Sequence, residues 1–222
     1  MMASGAVTAS ATFLERRCPH PVDALARHRA VRRYRDPRFE AMVVKVFPGE
    51  HYVSDSPEEM LVTILGSCVA ACIRDPMIGI GGMNHFMLPE SDDGQWGRAS
   101  ARLRYGNFAM EQLINDILKQ DGRRERLEVK VFGGANVLAN GGCIGHQNAE
   151  FVEAYLKTER LPITAAHLFG VYPRRVHYFP VTGKVKMLEL RRRTDLADLE
   201  TEARYQRSLR TTEAAGSVEL FE

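Results

Sequence analysis

The sequence predicts an α/β domain, and three observations carry that prediction. Short β-rich runs recur between Gly- and Pro-bearing turns; two longer stretches carry apolar residues at helical spacing, each able to cover a sheet; and 222 residues suffice to bury one core. A chain that is 45% hydrophobic and 26% charged is ordinary for a globular protein. Its formal net charge of +2 gives no electrostatic case for nucleic acid as a partner. No uninterrupted apolar run reaches the roughly 20 residues that a membrane-spanning helix needs, so a soluble chain without membrane insertion is expected. Four cysteines, Cys18, Cys68, Cys72 and Cys143, in a chain of this length without a secretory signal read as free thiols in a reducing, cytoplasmic setting.

Residues 1–39 read as an N-terminal extension. It is basic over 16–38 through Arg16, Arg17, Arg27, Arg29, Arg32, Arg33, Arg35 and Arg38, a solvated block or a contact for an acidic surface. The folded domain is expected over 40–192, beginning with a strand at Met42–Phe47 that Pro48-Gly49 stops. Ser54–Glu59 reads as a loop, and Leu61–Leu65 as the second strand. Val69–Ile73 and Ile78–Met83 read as two strands of a hairpin around Asp75-Pro76. Ser91–Gly97 is a polar loop. From Arg104 to Lys119, Phe108, Leu113, Ile114, Ile117 and Leu118 recur at helical spacing until Asp121-Gly122.

A strand over Leu127–Phe132 leads into Gly133-Gly134-Ala135-Asn136. That loop lacks both Gly-x-Gly-x-x-Gly and Gly-Lys-Ser/Thr, so it reads as packed beside the hairpin rather than as a phosphate cradle. Asn148 suits the N-cap of a helix whose apolar side is Phe151, Ala154, Tyr155 and Leu156. Ile163–Leu168, Arg175–Pro180 and Lys184–Leu190 read as strands, with Thr182-Gly183 turning between the last two. Residues 193–222 carry a charged helix over Asp195–Leu209 and an apolar tail, Ser217–Phe221.

The chemistry concentrates in the hairpin. Symmetry about a midpoint between Pro76 and Met77 sets Cys68 directly opposite His85, and cross-strand neighbours on one face have Cβ atoms about 4.5–5.5 Å apart. A neighbouring imidazole can take the thiol's proton and stabilise the thiolate, the form in which cysteine is a nucleophile. Gly66 and Ser67 just before it supply a sharp backbone turn and N–H groups suited to an oxyanion. Thr63, on the approach strand, is a candidate to orient the imidazole through its hydroxyl. Each residue also has a plain structural role open to it: Cys68 as a small buried hydrophobe, His85 as a satisfied histidine, Thr63 as a β-branched strand residue. Cys72, roughly 13 Å further along the strand, is out of disulfide range and reads as core. His51 with Cys68 and His85 is the one conceivable metal set, but the usual short ligand pairs are missing, so neither metal nor cofactor is expected.

The run Leu65-Gly66-Ser67-Cys68-Val69-Ala70-Ala71-Cys72-Ile73-Arg74-Asp75-Pro76, followed by Gly81-Gly82-Met83-Asn84-His85-Phe86-Met87-Leu88-Pro89, resembles the signature of the chemoreceptor glutamine deamidase family, CheD. The resemblance continues through Pro48-Gly49-Glu50, Phe132-Gly133-Gly134-Ala135, Ile144-Gly145 with Asn148, and Thr182-Gly183, spanning residues 40–190. It implies a single-domain, four-layer α/β/β/α sandwich of mixed sheets, like that of the deamidating bacterial cytotoxins. It also implies Cys68 as nucleophile, His85 as base and Thr63 as the third catalytic residue. The implied reaction converts receptor glutamine side chains to glutamate and ammonia through a thioester, with chemoreceptors as substrate and a CheC-type phosphatase as a further partner. Arg174-Arg175 departs from the family's glycine-rich pattern at that segment and is given no role. A non-catalytic adaptor that binds receptors and the phosphatase is the rival from another class; a transglutaminase or thiol protease would share the acyl-enzyme chemistry.

Overall fold

A computed structural model of the chain describes residues 33–88, 96–137 and 143–191, with side chains in the first helix from Leu103 onward. In chain order the elements are β1 (Arg33–Asp36), β2 (Ala41–Lys45), β3 (His51–Ser54), β4 (Glu59–Leu65), β5 (Val69–Asp75), β6 (Ile80–Asn84), α1 (Trp96–Leu118), β7 (Glu128–Gly133), α2 (Ile144–Thr158), β8 (Ile163–Leu168), β9 (Arg174–Tyr178) and β10 (Val185–Glu189). They build two five-stranded mixed sheets, ordered β1-β2-β4-β9-β10 and β3-β6-β5-β7-β8. β2–β4 and β7–β8 pair in parallel, and all other described pairs are antiparallel.

Alternation along the strands decides which residues face which layer. Val44, Leu61, Leu65 and Val176 of the first sheet close on Ala70, Cys72, Met83 and Phe132 of the second. The opposite face of the second sheet, with Val69, Ala71, Ile73, Val129 and Val131, is covered by both helices. α1 contributes Met110, Leu113, Ile114 and Ile117, the i, i+3, i+4, i+7 stripe of an amphipathic helix. Phe108 falls off that stripe and is exposed, and on α2 Val152 rather than Ala154 joins Phe151, Tyr155 and Leu156 in the core. The α/β class with mixed sheets thus stands, and helix, sheet and sheet are the layers the described residues build. The expected helix over Asp195–Leu209, the Ser217–Phe221 tail, the Ser91–Gln95 loop and most of the basic extension lie outside the described residues.

Two strands escaped the sequence reading. β1 extends the first sheet into the stretch read as an extension, pairing Arg33 with Val44 and Asp36 with Ala41. Its charges find local partners: Arg33 bonds Glu59 and the Tyr52 hydroxyl, and Arg38 bonds Asp36. β3 pairs with β6, but four half-polar residues give no alternation long enough to read.

The hairpin turn also differs. Asp75 pairs with Ile80 and Cys72 with Met83, so the turn is the four residues Pro76–Gly79, with Gly79 at φ +69°. Its centre lies one residue later than symmetry about Pro76-Met77 gave, which moves the pairing by two residues. Asp75 closes it: the carboxylate accepts from Met77 N at 3.0 Å, Arg123 N at 2.9 Å and Arg126 Nε at 2.8 Å.

Candidate active site

The chain crosses from the first sheet to the second at Gly66-Ser67-Cys68, between β4 and β5. No strand ladder serves these residues, so their carbonyls need other donors. All three are held. Gly66 O accepts from Ala135 N at 2.8 Å, Ser67 O from Asn148 Nδ2 at 2.8 Å, and Cys68 O from Gly134 N at 2.8 Å. The Gly133-Gly134-Ala135 loop therefore packs beside the cysteine, as expected, and spends its N–H groups on protein carbonyls. The approach is so close that a Cβ on Gly133, which sits at φ +117°, would lie 2.1 Å from Cys68 O.

Val69 and Phe86 exchange both backbone hydrogen bonds at 2.9 Å, which fixes the register beside the cysteine. Met87 is therefore opposite Cys68, and Ala70 is opposite His85. The direct pairing read from hairpin symmetry is corrected to a diagonal one, because the turn is longer at its Ile78-Gly79 end. A shift of two residues preserves the face, whereas a shift of one would have reversed it. Cys68 and His85 lie on the same face, turned toward the first sheet, as diagonal neighbours within reach of a long side chain. Ala70, the small residue facing His85, leaves the imidazole room. The His85 backbone is tied on its other edge to the segment that crosses from β2 to β3, with His85 N donating to Glu50 O at 2.9 Å and Gly49 N donating to His85 O at 2.7 Å.

Thr63 reaches the same point from the first sheet. Its Oγ1 lies 2.8 Å from Val46 O and 2.7 Å from His85 Nδ1. A carbonyl only accepts, so the single hydroxyl proton goes to Val46 and Oγ1 must accept from Nδ1–H. This assignment from the hydrogen-bond pattern puts the proton on Nδ1 and the lone pair on Nε2 of the neutral ring. Val46 thus fixes Thr63, and Thr63 fixes the tautomer and plane of the imidazole.

Thr63, Cys68 and His85 are buried, at 4%, 0% and 2% exposure, so any charge developed among them is little screened by water. Cys72 lies in the core between the sheets, where burial pushes its thiol strongly up and keeps it protonated. Cys143 is exposed at the start of α2. His51 turns to α1, its Nε2 2.8 Å from Asp116 Oδ2, and the hydrogen bonds to His51 and Lys119 hold the Asp116 carboxyl below its usual range. Among the described residues no group of three or more His, Cys, Asp and Glu side chains is gathered as a metal site would require. A cavity of about 170 Å³ reaches Thr63 and His85 beside Val46, Phe47, Lys45, Arg175 and His177, but Cys68 does not line it.

The family model for CheD chemotactic sensory transduction matches residues 87–189. A probable chemoreceptor glutamine deamidase CheD of Rhodopseudomonas palustris is 62% identical over 192 residues, covering 86% of this chain and 90% of that protein. The chain belongs to the CheD family. Relatives of the same designation from Saccharophagus degradans and Dechloromonas aromatica are 51% and 49% identical, covering 86% and 87% of this chain and 90% and 96% of their own. The CheD model match begins just past His85, but an aligned stretch of 192 residues in this chain cannot omit residues 63–85. A crystal structure of Neisseria meningitidis protein NMB0706 shares 9% identity at a TM-score of 0.35, covering 68% of this chain and 70% of that one.

Within the CheD fold, the sequence had singled out Thr63, Gly66, Ser67, Cys68 and His85, and all five fall at the junction between the sheets. Ser67 turns its hydroxyl to Met87 Sδ at 3.6 Å. The reading of Asn148 as an N-cap is corrected: α2 opens at Ile144 with Cys143 at its N-cap, and Asn148 is buried inside the helix. Its Oδ1 accepts from Leu88 N at 2.9 Å while Nδ2 holds Ser67 O. The Val46 carbonyl was missed as well, since a backbone group leaves no mark in side-chain patterning.

Arg174, given no role, is buried beside the β4 end. It bonds the carbonyls of His167 and Phe169 and lies 2.9 Å from His167 Nδ1, closing the loop into β9. Burial holds its guanidinium pKa below the ordinary value.

Proposed function

We propose that this chain deamidates glutamine side chains of chemoreceptors, with Cys68 as nucleophile, His85 as acid and base, and Thr63 as the residue that orients His85. The observation that carries the proposal is the relay Val46 O, Thr63 Oγ1, His85 Nδ1, which leaves the basic nitrogen of a buried imidazole on the face it shares with Cys68.

His85 Nε2 takes the thiol proton, and the thiolate attacks the amide carbon. An S–C bond forms and the amide oxygen becomes an oxyanion, served by backbone N–H groups of the Ser67–Cys68 segment. As the C–N bond breaks, imidazolium gives its proton to the leaving nitrogen, releasing ammonia and a thioester. Water then gives a proton to Nε2 and its oxygen to the carbonyl carbon. The C–S bond breaks and the thiolate is re-formed, leaving glutamate. Each turnover adds one negative charge to the receptor surface, a change able to bias a bistable signalling helix.

The same reading takes a CheC-type phosphatase as partner and the cytoplasm as location. Among the described residues Cys68, Cys72 and Cys143 form no disulfide, which suits a reducing compartment, and no described helix is long and apolar enough to cross a membrane.

The deciding experiment incubates the purified chain with a chemoreceptor cytoplasmic fragment and follows amide-to-acid conversion by peptide mass spectrometry. Wild type converts specific glutamines with equimolar ammonia, and Cys68→Ala converts none. Binding without ammonia release from wild type would instead establish the adaptor reading.

A further inference from the structure

We infer that Arg174 is a positioning residue for the deamidation: its buried guanidinium holds the turn at Phe169 and Gly170 in a left-handed conformation, and that turn holds the loop over residues 133–136 against the Cys68 segment. The inference rests on the proposed role of Cys68. Arg174 is 1% exposed. Its cross-strand partner Glu189 gives its carboxylate to Arg191 instead, and among the described residues no other acid pairs with Arg174. The guanidinium donates to His167 O and Phe169 O and lies 2.9 Å from His167 Nδ1, while Nε has no acceptor. A buried charge without its counterion is costly, and here both arms of the fork are spent on one turn.

The turn needs such a hold. Phe169 takes φ +64° and Gly170 φ +83°; glycine enters that region freely, but a bulky side chain stays there only when its surroundings over-determine it. Three contacts do so: Phe169 N donates to Gly133 O at 3.0 Å, its ring lies 4.8 Å from that of His146, and its carbonyl accepts from Arg174. Gly170 O accepts from Asn136 N at 2.8 Å. The turn therefore grips the loop at both ends. Between those ends, Gly134 N and Ala135 N donate the other way, to Cys68 O and Gly66 O. Ladder pairing with Leu168 also holds Gly133, but residues 134–136 lie beyond β7 and outside that ladder. Arg174 is in addition the register partner of Leu65, the residue before Gly66. One residue thus abuts the nucleophile's segment through its backbone and the supporting turn through its side chain. Without the guanidinium two carbonyls lose their donor, and Phe169 is released from the left-handed region together with the loop's outer support.

The test compares Arg174→Lys, Arg174→Met, Phe169→Gly and the double variant of Phe169→Gly with Arg174→Met against wild type, in the full chain on the chemoreceptor fragment, with folded fraction measured by circular dichroism. Lys keeps the charge without the fork, and Met keeps only the bulk. For folded enzyme both Arg174 variants should lose about tenfold to a hundredfold in kcat, the scale on which displaced catalytic geometry costs rate, with KM within about twofold of wild type. Amide exchange at Gly134 and Ala135 should quicken by about tenfold or more as their bonds open locally. Glycine takes the left-handed turn unaided, so Phe169→Gly should stay near wild type and should hold the double variant within about threefold of its own kcat. A purely structural Arg174 would lower the folded fraction and leave kcat per folded enzyme and the exchange unmoved. The inference is overturned by that result, by either folded Arg174 variant keeping kcat within about twofold of wild type, by a loss confined to KM, or by Phe169→Gly failing to rescue. It is equally overturned if neither Arg174 variant folds, which would make the role structural. Full deamidation by Cys68→Ala would sink the underlying reading, whatever the Arg174 variants do.

Discussion

Thr63 and His85 belong to different sheets and meet through one 2.7 Å hydrogen bond, with the Thr63 hydroxyl proton already committed to Val46 O. The bond joins the two layers where the chain crosses between them, and it selects which ring nitrogen carries the proton. Thr63→Val keeps the shape and removes the hydroxyl, so the imidazole loses both its tautomer preference and its plane. kcat is expected to fall about a hundredfold, and Thr63→Ser, which keeps the hydroxyl, should restore most of it. Steady-state ammonia release from receptor fragment reads both; equal loss in the two variants would assign Thr63 to packing.

Cys68 just precedes β5 and Cys72 lies within it, on the same face and in the same apolar cluster. Burial in that core keeps the Cys72 thiol protonated, so turnover is expected not to need it. Cys72→Ala should lower stability by about 1–2 kcal/mol through a small cavity and leave kcat per folded enzyme unchanged. Cys68→Ala should remain folded and inactive. Urea titration with parallel assays separates the two; loss of turnover in folded Cys72→Ala would refute this division of roles.

Gly133 faces the cysteine with no room to spare. A methyl group there meets Cys68 O at 2.1 Å, on a backbone at φ +117° that other residues avoid. Gly133→Ala should cost about 2–3 kcal/mol from strain and displacement, and should depress kcat because the shifted atoms carry the nucleophile. Thermal melts and kinetics check it, and wild-type behaviour in both would show the loop to be compliant.

Asp75 connects the hairpin turn to pH. Burial alone would raise its carboxyl, but the Arg123 N–H, the Arg126 guanidinium and the Met77 N–H outweigh it and hold the pKa below the ordinary value. A depressed carboxyl stabilises the fold above its unfolded value, about 4, and that stability is lost as pH falls through the lower folded value. Asp75→Asn should therefore be less stable at neutral pH by about 2 kcal/mol, the scale of charge-assisted hydrogen bonds, with the gap closing as pH falls below about 4. Denaturation at pH 7 and pH 3 measures the gap; a gap that widens in acid would contradict the assignment.

The sequence by itself determined what neighbours along the chain can encode. Short apolar runs marked β4 and β5, alternation marked β7, the stripe of Leu113, Ile114 and Ile117 marked α1, and Asp121-Gly122 marked its end, where Asp121 takes φ +65°. The hairpin also put Cys68 and His85 on one face, because an error of two residues in register leaves side-chain parity intact. The tertiary structure alone decided how the two are served. Thr63 meets His85 across 22 residues and between sheets, Asn148 holds Ser67 across 81, and Gly134 holds Cys68 from a separate loop. Periodicity reports which side of an element is buried, but not which distant polar atom completes a buried hydrogen bond. That choice follows from sheet packing and helix placement, so Asn148 looks like a helix cap in the sequence and like a brace for the cysteine in the fold.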